Sequence, residues 1–319
     1  MGKVLPGTGR PIRRGCQRCR RAGQRAKTTQ QCSAMILVAG GTGTLGTKVV
    51  SLLLARGDGV RVLTRDALRA DDLRGRGADA IVGDIRDSAT IEAAVSGCTT
   101  VISALHGFIG GRGAGPAAID RDGNRSLIRA AVAGNVDHAI LMSAHGAAPD
   151  SPMSLHRMKY AAEQTLVGSG LDWTIIRSVP FLDTWIGVIG AHIADQGRAL
   201  VPGRGDNPIN FVSVNEVATV IDRSVHDRAF RGRIVDVTGP DNLTFTALAR
   251  QLIEASGKPG QIAHIPLTAL RVMSVLARPV APAFARKAHA AVVMNTTDMT
   301  VNDRASALPP TSNSSPRQP

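Results

Sequence analysis

Gly40, Gly43 and Gly46 stand three residues apart, and Gly41, Gly43 and Gly46 also satisfy the spacing GxGxxG. In such a pattern one glycine makes a tight turn, one lets the backbone approach a pyrophosphate, and one lets a helix pack close to a strand. Thr42, Thr44 and Leu45 complete the turn, whose main-chain N–H groups would meet phosphate oxygens at a helix start, where the dipole favours anions. Nineteen positions beyond Gly46 comes Arg65. NAD sites carry an acid near there to hold the ribose 2′-hydroxyl, whereas a guanidinium suits a 2′-phosphate. Arg65 therefore predicts NADP(H) as the preferred cofactor, with NAD(H) the alternative that adjacent Asp66 keeps open. Asp84 is read two ways, as a partner of the adenine amine or as a turn carboxylate.

These residues need a scaffold. The apolar run 36–39 reads as a strand buried on both faces, and Leu45, Val49, Leu52 and Leu53 repeat as a helix does. Further strands are predicted over 60–64, 80–82, 100–104, 138–142 and 173–177. Asp87 and Ser88 are placed to cap the helix that runs to 95. Ala104 ends the fourth strand at the ligand crevice, and a glycine-rich loop, 105–115, covers it. The segment 120–124 resembles a calcium loop, but its twelfth position is Ala131, where a bidentate Glu is required. It reads instead as part of a long helix ending near 133, and another helix is predicted over 158–168. Strands alternating with helices at this spacing predict an α/β fold, a doubly wound parallel sheet of the Rossmann type with a small C-terminal substrate lobe. The lobe's elements are predicted as helices over 214–225, 245–256, 267–276 and 284–293 and a strand over 234–238. The expected boundaries are a disordered basic extension over 1–34, a nucleotide domain over 35–179, an interleaved lobe over 180–302 and a disordered tail over 303–319.

Charge and composition narrow the function. The chain has 319 residues, a formal net charge of +13 and only 3% aromatics, so its core must be aliphatic. Nine of the positive charges fall in residues 1–34, which hold no acid and no apolar signal core. That segment reads as an extension dispensable to the fold, with a targeting or nucleic-acid arm as the alternative. The remainder is mildly basic, so no nucleic-acid partner is expected for the folded body. Cys16, Cys19 and Cys32 fall short of a zinc ribbon, and with Cys98 they suggest no disulfide scaffold. A reducing cytoplasm is expected, and no stretch approaches the ~18 apolar residues of a membrane helix.

The fingerprint 40–46, the strand end 62–65, Gly83-Asp84, Leu141-Met-Ser143, Lys159-Tyr-Ala-Ala-Glu163 and 170–177 together resemble the atypical short-chain dehydrogenase/reductase superfamily. Within it the chain resembles the NmrA-like NAD(P)-binding group, and 211–218 and 238–240 extend the likeness into the lobe. The resemblance implies a Tyr four residues before the Lys, as proton carrier, with the Lys on the nicotinamide ribose. Here Leu155 holds the Tyr position, and Tyr160 lies about 100° round the helix from its neighbour Lys159. His156 is a candidate donor or else a solvent-facing loop residue. Isoflavone-reductase-like relatives use a Lys alone, which implies that Lys159 carries both roles while Ser143 orients a carbonyl. The plain alternatives are a surface Lys159–Glu163 pair and a small residue at a strand end. The implied activity is NAD(P)H-dependent reduction of a small carbonyl, quinone or similar electrophile by a monomer or homodimer. The alternative is a non-catalytic NAD(P)-binding redox sensor.

Overall fold

The computed structural model describes residues 34–302 apart from His192. The expected extension and tail, with Cys16, Cys19 and Cys32, lie outside the described residues. β1 (Met35–Ala39), β2 (Gly59–Thr64), β3 (Asp79–Val82), β4 (Cys98–Ser103), β5 (His138–Ala144) and β6 (Asp172–Ser178) form one parallel sheet, which β9 (Arg233–Val237) joins beside β6. The order β3-β2-β1-β4-β5-β6-β9 reverses direction between β1 and β4. Ligands of open α/β sheets bind at the carboxyl ends of the strands at such a switch point.

Residues of β1 alternate between the two faces and are buried on both. Ile36 and Val38 pack with α1 (Thr44–Arg56) and α8 (Val214–His226), joined on that face by α2 (Ala67–Gly75). Leu37 and Ala39 pack with α3 (Ser88–Val95) and α4 (Asn124–Ala133) on the other. α5 (Ser154–Val167) extends that second layer through Ala162 and Leu166. It starts four residues earlier than its sequence pattern predicts, so His156 and Tyr160 are helical. Asp87 caps α3 as expected, accepting from Ala89 N at 3.2 Å. The helix before α4 is not uniform. Ala117–Gly123 is π-helical, and the local widening turns Asp120 fully inward.

The C-terminal elements are α6 (Leu182–Gly190), α7 (Ile193–Gln196), β7 (Arg198–Pro202), β8 (Ile209–Asn210), β10 (Asn242–Leu243), α9 (Phe245–Ala255), β11 (Gln261–Ile265), α10 (Leu267–Leu276) and α11 (Pro282–Thr296). Parallel β7/β11 and antiparallel β8/β10 make two small ribbons around Phe211, Phe245 and Ile209. The stretch 211–218 is a helix start: Ser213 and Glu216 form a reciprocal capping box on α8. Asn210 accepts from Gly239 N at 2.8 Å and donates to Gly239 O at 3.2 Å. These bonds tie the β8/β10 ribbon to the loop after β9.

One buried group gives the fold an acid-sensitive point. His138 is fully buried, and Thr174 Oγ1 already donates its hydrogen to Phe230 O at 3.0 Å. The 2.9 Å contact between His138 Nε2 and Thr174 Oγ1 therefore has Nε2–H as donor, which leaves Nδ1 as an unprotonated nitrogen without a partner. A proton there would be a charge in the core. Burial pushes the pKa down to about 4, helped by Arg231 and opposed by Asp172. A folded-state pKa below the unfolded one means that the unfolded chain binds the proton first. Stability is then full above the unfolded value of about 6.5 and falls as pH drops toward 4, by roughly 2–3 kcal/mol from this group. Thermal melts between pH 7 and 4 should show that fall, and His138→Gln should flatten it.

Candidate cofactor and active site

The glycine turn joins β1 to α1. Gly40 has φ +87°, and a Cβ on it would lie 2.7 Å from Ala104 O, so the turn and the end of β4 touch backbone to backbone. Gly43 N donates to Gly40 O at 3.0 Å and closes the turn. A Cβ on Gly46 would come within 2.2 Å of Gly40 O, and one on Gly41 within 2.6 Å of Val62 Cγ1. Gly43 differs. It is exposed, and its virtual Cβ meets nothing nearer than 3.4 Å. Gly40 thus makes the turn, Gly46 the helix–strand contact, and Gly43 the outward face along which a ligand backbone can lie. As N-cap of α1 it adds no side chain over the first-turn N–H groups, which run through exposed Thr44 and buried Leu45. Thr42 faces β2, its Oγ1 3.2 Å from Thr64 Oγ1. The cradle fits a pyrophosphate, because the space a side chain would fill is kept clear.

Arg65 leaves the end of β2 exposed and has no ion-pair partner among the described residues. Asp66 is occupied elsewhere: it caps α2 by accepting from Arg69 N and pairs with the Arg69 guanidinium at 3.4 Å. It is therefore the helix cap and not a ribose acid. Arg69 also donates to Thr42 O at 2.7 Å, which places a second guanidinium against the glycine turn. Sequence reasoning missed Arg69. The available signal was its position four residues after Arg65, across the first turn of a helix too polar to announce itself.

Asp84 is held by Arg86, through Nε at 2.9 Å and Nη2 at 2.6 Å, and it also accepts from Arg86 N. That guanidinium keeps its pKa down at about 2. Arg86 reaches on to Gly113 O at 3.0 Å, so the pair also fastens the 105–115 loop.

Lys159 departs most from expectation. It is buried, and Nζ donates to Leu105 O and Met142 O at 2.8 Å each and lies 3.0 Å from Asp120 Oδ1. Two of the three ammonium N–H groups are taken by carbonyls, and the Asp120 contact is an ion pair in which Oδ1 accepts no hydrogen bond. Asp120 Oδ2 accepts from Gly107 N at 2.9 Å, so the buried pair clamps both ends of Leu105–Gly107 to α5. Lys159 is no surface partner of Glu163. That carboxylate, also buried, takes Arg177 through both oxygens at 2.9 and 2.6 Å. It also accepts from Ser143 Oγ at 2.5 Å, so the Ser143 proton is engaged by a buried carboxylate. The loop reading of His156 is corrected as well. It lies in α5, and burial against the Gly146 turn lowers its pKa to about 4. Nearby, exposed His145 pairs with Asp236 at 2.9 Å. Among the described residues no His, Cys, Asp or Glu group could hold a metal ion, and no helix is long and apolar enough to cross a membrane.

Comparison with known proteins bears on this site. Residues 40–228 match the NAD(P)H-binding family, a span that includes the glycine turn, Arg65, Asp84 and Lys159. The chain is 30% identical over 234 residues to the NAD(P)H azoreductase of Xenophilus azovorans, covering 73% of this chain and 78% of that one. It is 27% identical over 245 residues to the photosystem II assembly factor Ycf39 of Trieres chinensis, covering 75% and 74%. An Escherichia coli NADPH-dependent quinone oxidoreductase solved with NADPH shares the fold, with a TM-score of 0.66, 22% identity and coverage of 83% and 92%.

Proposed function

The chain belongs to the NAD(P)H-binding family and is an NAD(P)H-dependent oxidoreductase, and from that premise we propose that it reduces a conjugated electrophile, a quinone or an aromatic azo compound. The observation that carries the reading is the burial of the Lys159 ammonium between two carbonyls and beside Asp120, together with Leu155 in place of a Tyr. A simple ketone that accepts a hydride becomes an alkoxide, about as basic as hydroxide (~15.7), and needs an acid already in place. Hydride addition to a quinone gives a phenolate-like anion, whose conjugate acid lies near ~10, and water can protonate it. An azo dye with an ortho or para hydroxyl group reacts through its quinone-hydrazone tautomer, whose hydride adduct is again phenolate-like, and the azoreductase relative supports this choice of electrophile.

Bound nicotinamide supplies the hydride. Gly40, Gly43 and Gly46, with the main chain of Thr42, Thr44 and Leu45, hold the pyrophosphate. Ala104 backs the turn, and the free edge of Asp84 takes the adenine amine. Lys159 is a positioning residue that holds Leu105–Gly107 beside the reacting ring. Ser143 orders Glu163 and Arg177 behind it.

NADPH oxidation should be followed with naphthoquinone, an aromatic azo dye and cyclohexanone as acceptors. Turnover with the first two and none with the ketone is expected; comparable turnover of the ketone would contradict the reading. The assembly-factor relative favours a cofactor-bound, non-catalytic role as the second reading, and cofactor binding without NADPH oxidation by any of the three acceptors would support it.

Arg65 and Arg69 read the 2′-phosphate. A charged hydrogen bond contributes about 1.5–3 kcal/mol, so Arg65→Ala should weaken NADPH binding by roughly 10- to 150-fold. NADH affinity should hardly change. Fluorescence titration of both nucleotides checks this, and equal losses would remove Arg65 from the phosphate.

A further inference from the structure

A cavity of about 360 Å³ lies where the start of α5 meets α10 and α11. Arg157, Arg278 and Arg286 line it, together with His289 and the apolar Phe108 and Met153. The three arginines come from separate elements: α5, the turn after α10, and α11. None has a carboxylate within ion-pairing distance among the described residues, although most other arginines of the body do.

What fixes them is backbone. Arg157 donates to Ser151 O, Arg278 Nε to Ser274 O at 3.0 Å, and Arg286 to Phe108 O at 2.7 Å and to Gly110 O. Carbonyls orient a guanidinium without neutralising it. Among the described residues, both Nη groups of Arg278, Nη2 of Arg157 and Nη1 of Arg286 have no acceptor. Burial lowers the pKa of Arg286, and the more distant charge of Asp120 opposes that shift without reversing it. Three like charges aimed at one space repel one another unless an anion enters, and planar forks match carboxylate, sulfonate and phosphate oxygens.

One loop runs from the reductase site to the cavity wall. That loop leaves the crevice at Ala104, is clamped by Lys159 and Asp120 at Leu105–Gly107, and reaches the cavity wall at Phe108. A neighbouring depression shares Pro282 and adds Lys287 beside exposed Phe284.

We propose that this cavity binds an acidic substituent of the substrate, so that the chain acts on aromatic electrophiles carrying a carboxylate, sulfonate or phosphate group. The proposal rests on the reductase reading for its substrate body, while the anion site itself is independently measurable.

The test uses the full chain and compares naphthoquinone with naphthoquinone sulfonate as acceptors. Arg157→Gln and Arg278→Gln are the variants, because Arg286 also holds the loop. KM for the sulfonate should be the lower in the wild type. In each variant the ratio of the two KM values should shift against the sulfonate by about tenfold or more, the loss of one charged contact. Calorimetric titration of cofactor-free protein with naphthalene sulfonate is the second arm, with the same loss expected in the variants. Turnover with no arginine-dependent preference overturns the anion site and leaves the reductase standing. No turnover, with arginine-dependent sulfonate binding, does the reverse. No sulfonate binding overturns the anion site in either case.

Discussion

Gly46→Ala should weaken NADPH binding by about 100-fold while the protein still folds. The added Cβ would lie 2.2 Å from Gly40 O and 2.7 Å from Gly41 Cα, both backbone atoms that no rotamer can move aside. Helix and turn must separate by about 1 Å, a displacement of the size that costs ~10²-fold when groups are held for a reaction. Gly57→Ala is the matched control. Gly57 ends the same helix with φ +85° and has nothing within 4 Å of its virtual Cβ. Its alanine should cost about 1–2 kcal/mol of stability through the left-handed backbone and leave nucleotide affinity unchanged. Fluorescence titration with urea melts separates the two effects. Equal loss of binding in both variants would show that helix stability, not the closeness of the turn, governs the site.

The second large effect concerns the buried pair. Asp120→Ala leaves the Lys159 ammonium in the core with two carbonyls and no counter-charge, and Lys159→Met strands the carboxylate. Either should destabilise by about 3–5 kcal/mol, as expected when one half of a buried pair is removed. The double variant Asp120→Leu with Lys159→Met removes both charges and should recover much of that loss, though not all, since Gly107 N loses its acceptor. Urea unfolding of the four proteins gives the coupling directly. Additive losses would mean that the two groups do not depend on each other. Activity supplies the other readout. As a positioning residue, Lys159 should leave the pH profile of residual quinone turnover in Lys159→Met unmoved, whereas a proton donor would take one limb of that profile with it.

The nucleotide half of this molecule was readable because its information is local. A four-residue apolar run, three glycines and a helical repeat lie within about twenty positions, and the parallel sheet follows from their alternation. β9 was found as a strand, but the sequence does not say that it pairs with β6 and makes a seventh sheet strand. α2 was missed because its sequence is mostly charged, and Asp66 then looked like a competitor for the ribose when it is that helix's cap. The active-site region was only half legible. The spacing singled out Lys159, but its partners are Asp120, 39 residues earlier, and two carbonyls contributed by other elements. The i,i+4 rule pointed to Glu163, which is claimed instead by Arg177 and Ser143 across the sheet edge. Arg157, Arg278 and Arg286 share no local pattern at all. Only the fold brings them together.

On the reductase reading, hydride reaches a conjugated electrophile and water, not a protein acid, supplies the proton. The most direct measurement is the rate of naphthoquinone reduction with NADPH deuterated at the transferred position, compared in light and heavy water. A clear slowing with the deuterated nucleotide and little further slowing in heavy water are expected. A strong heavy-water effect that vanishes in Lys159→Met would contradict that reading and return the proton to that lysine.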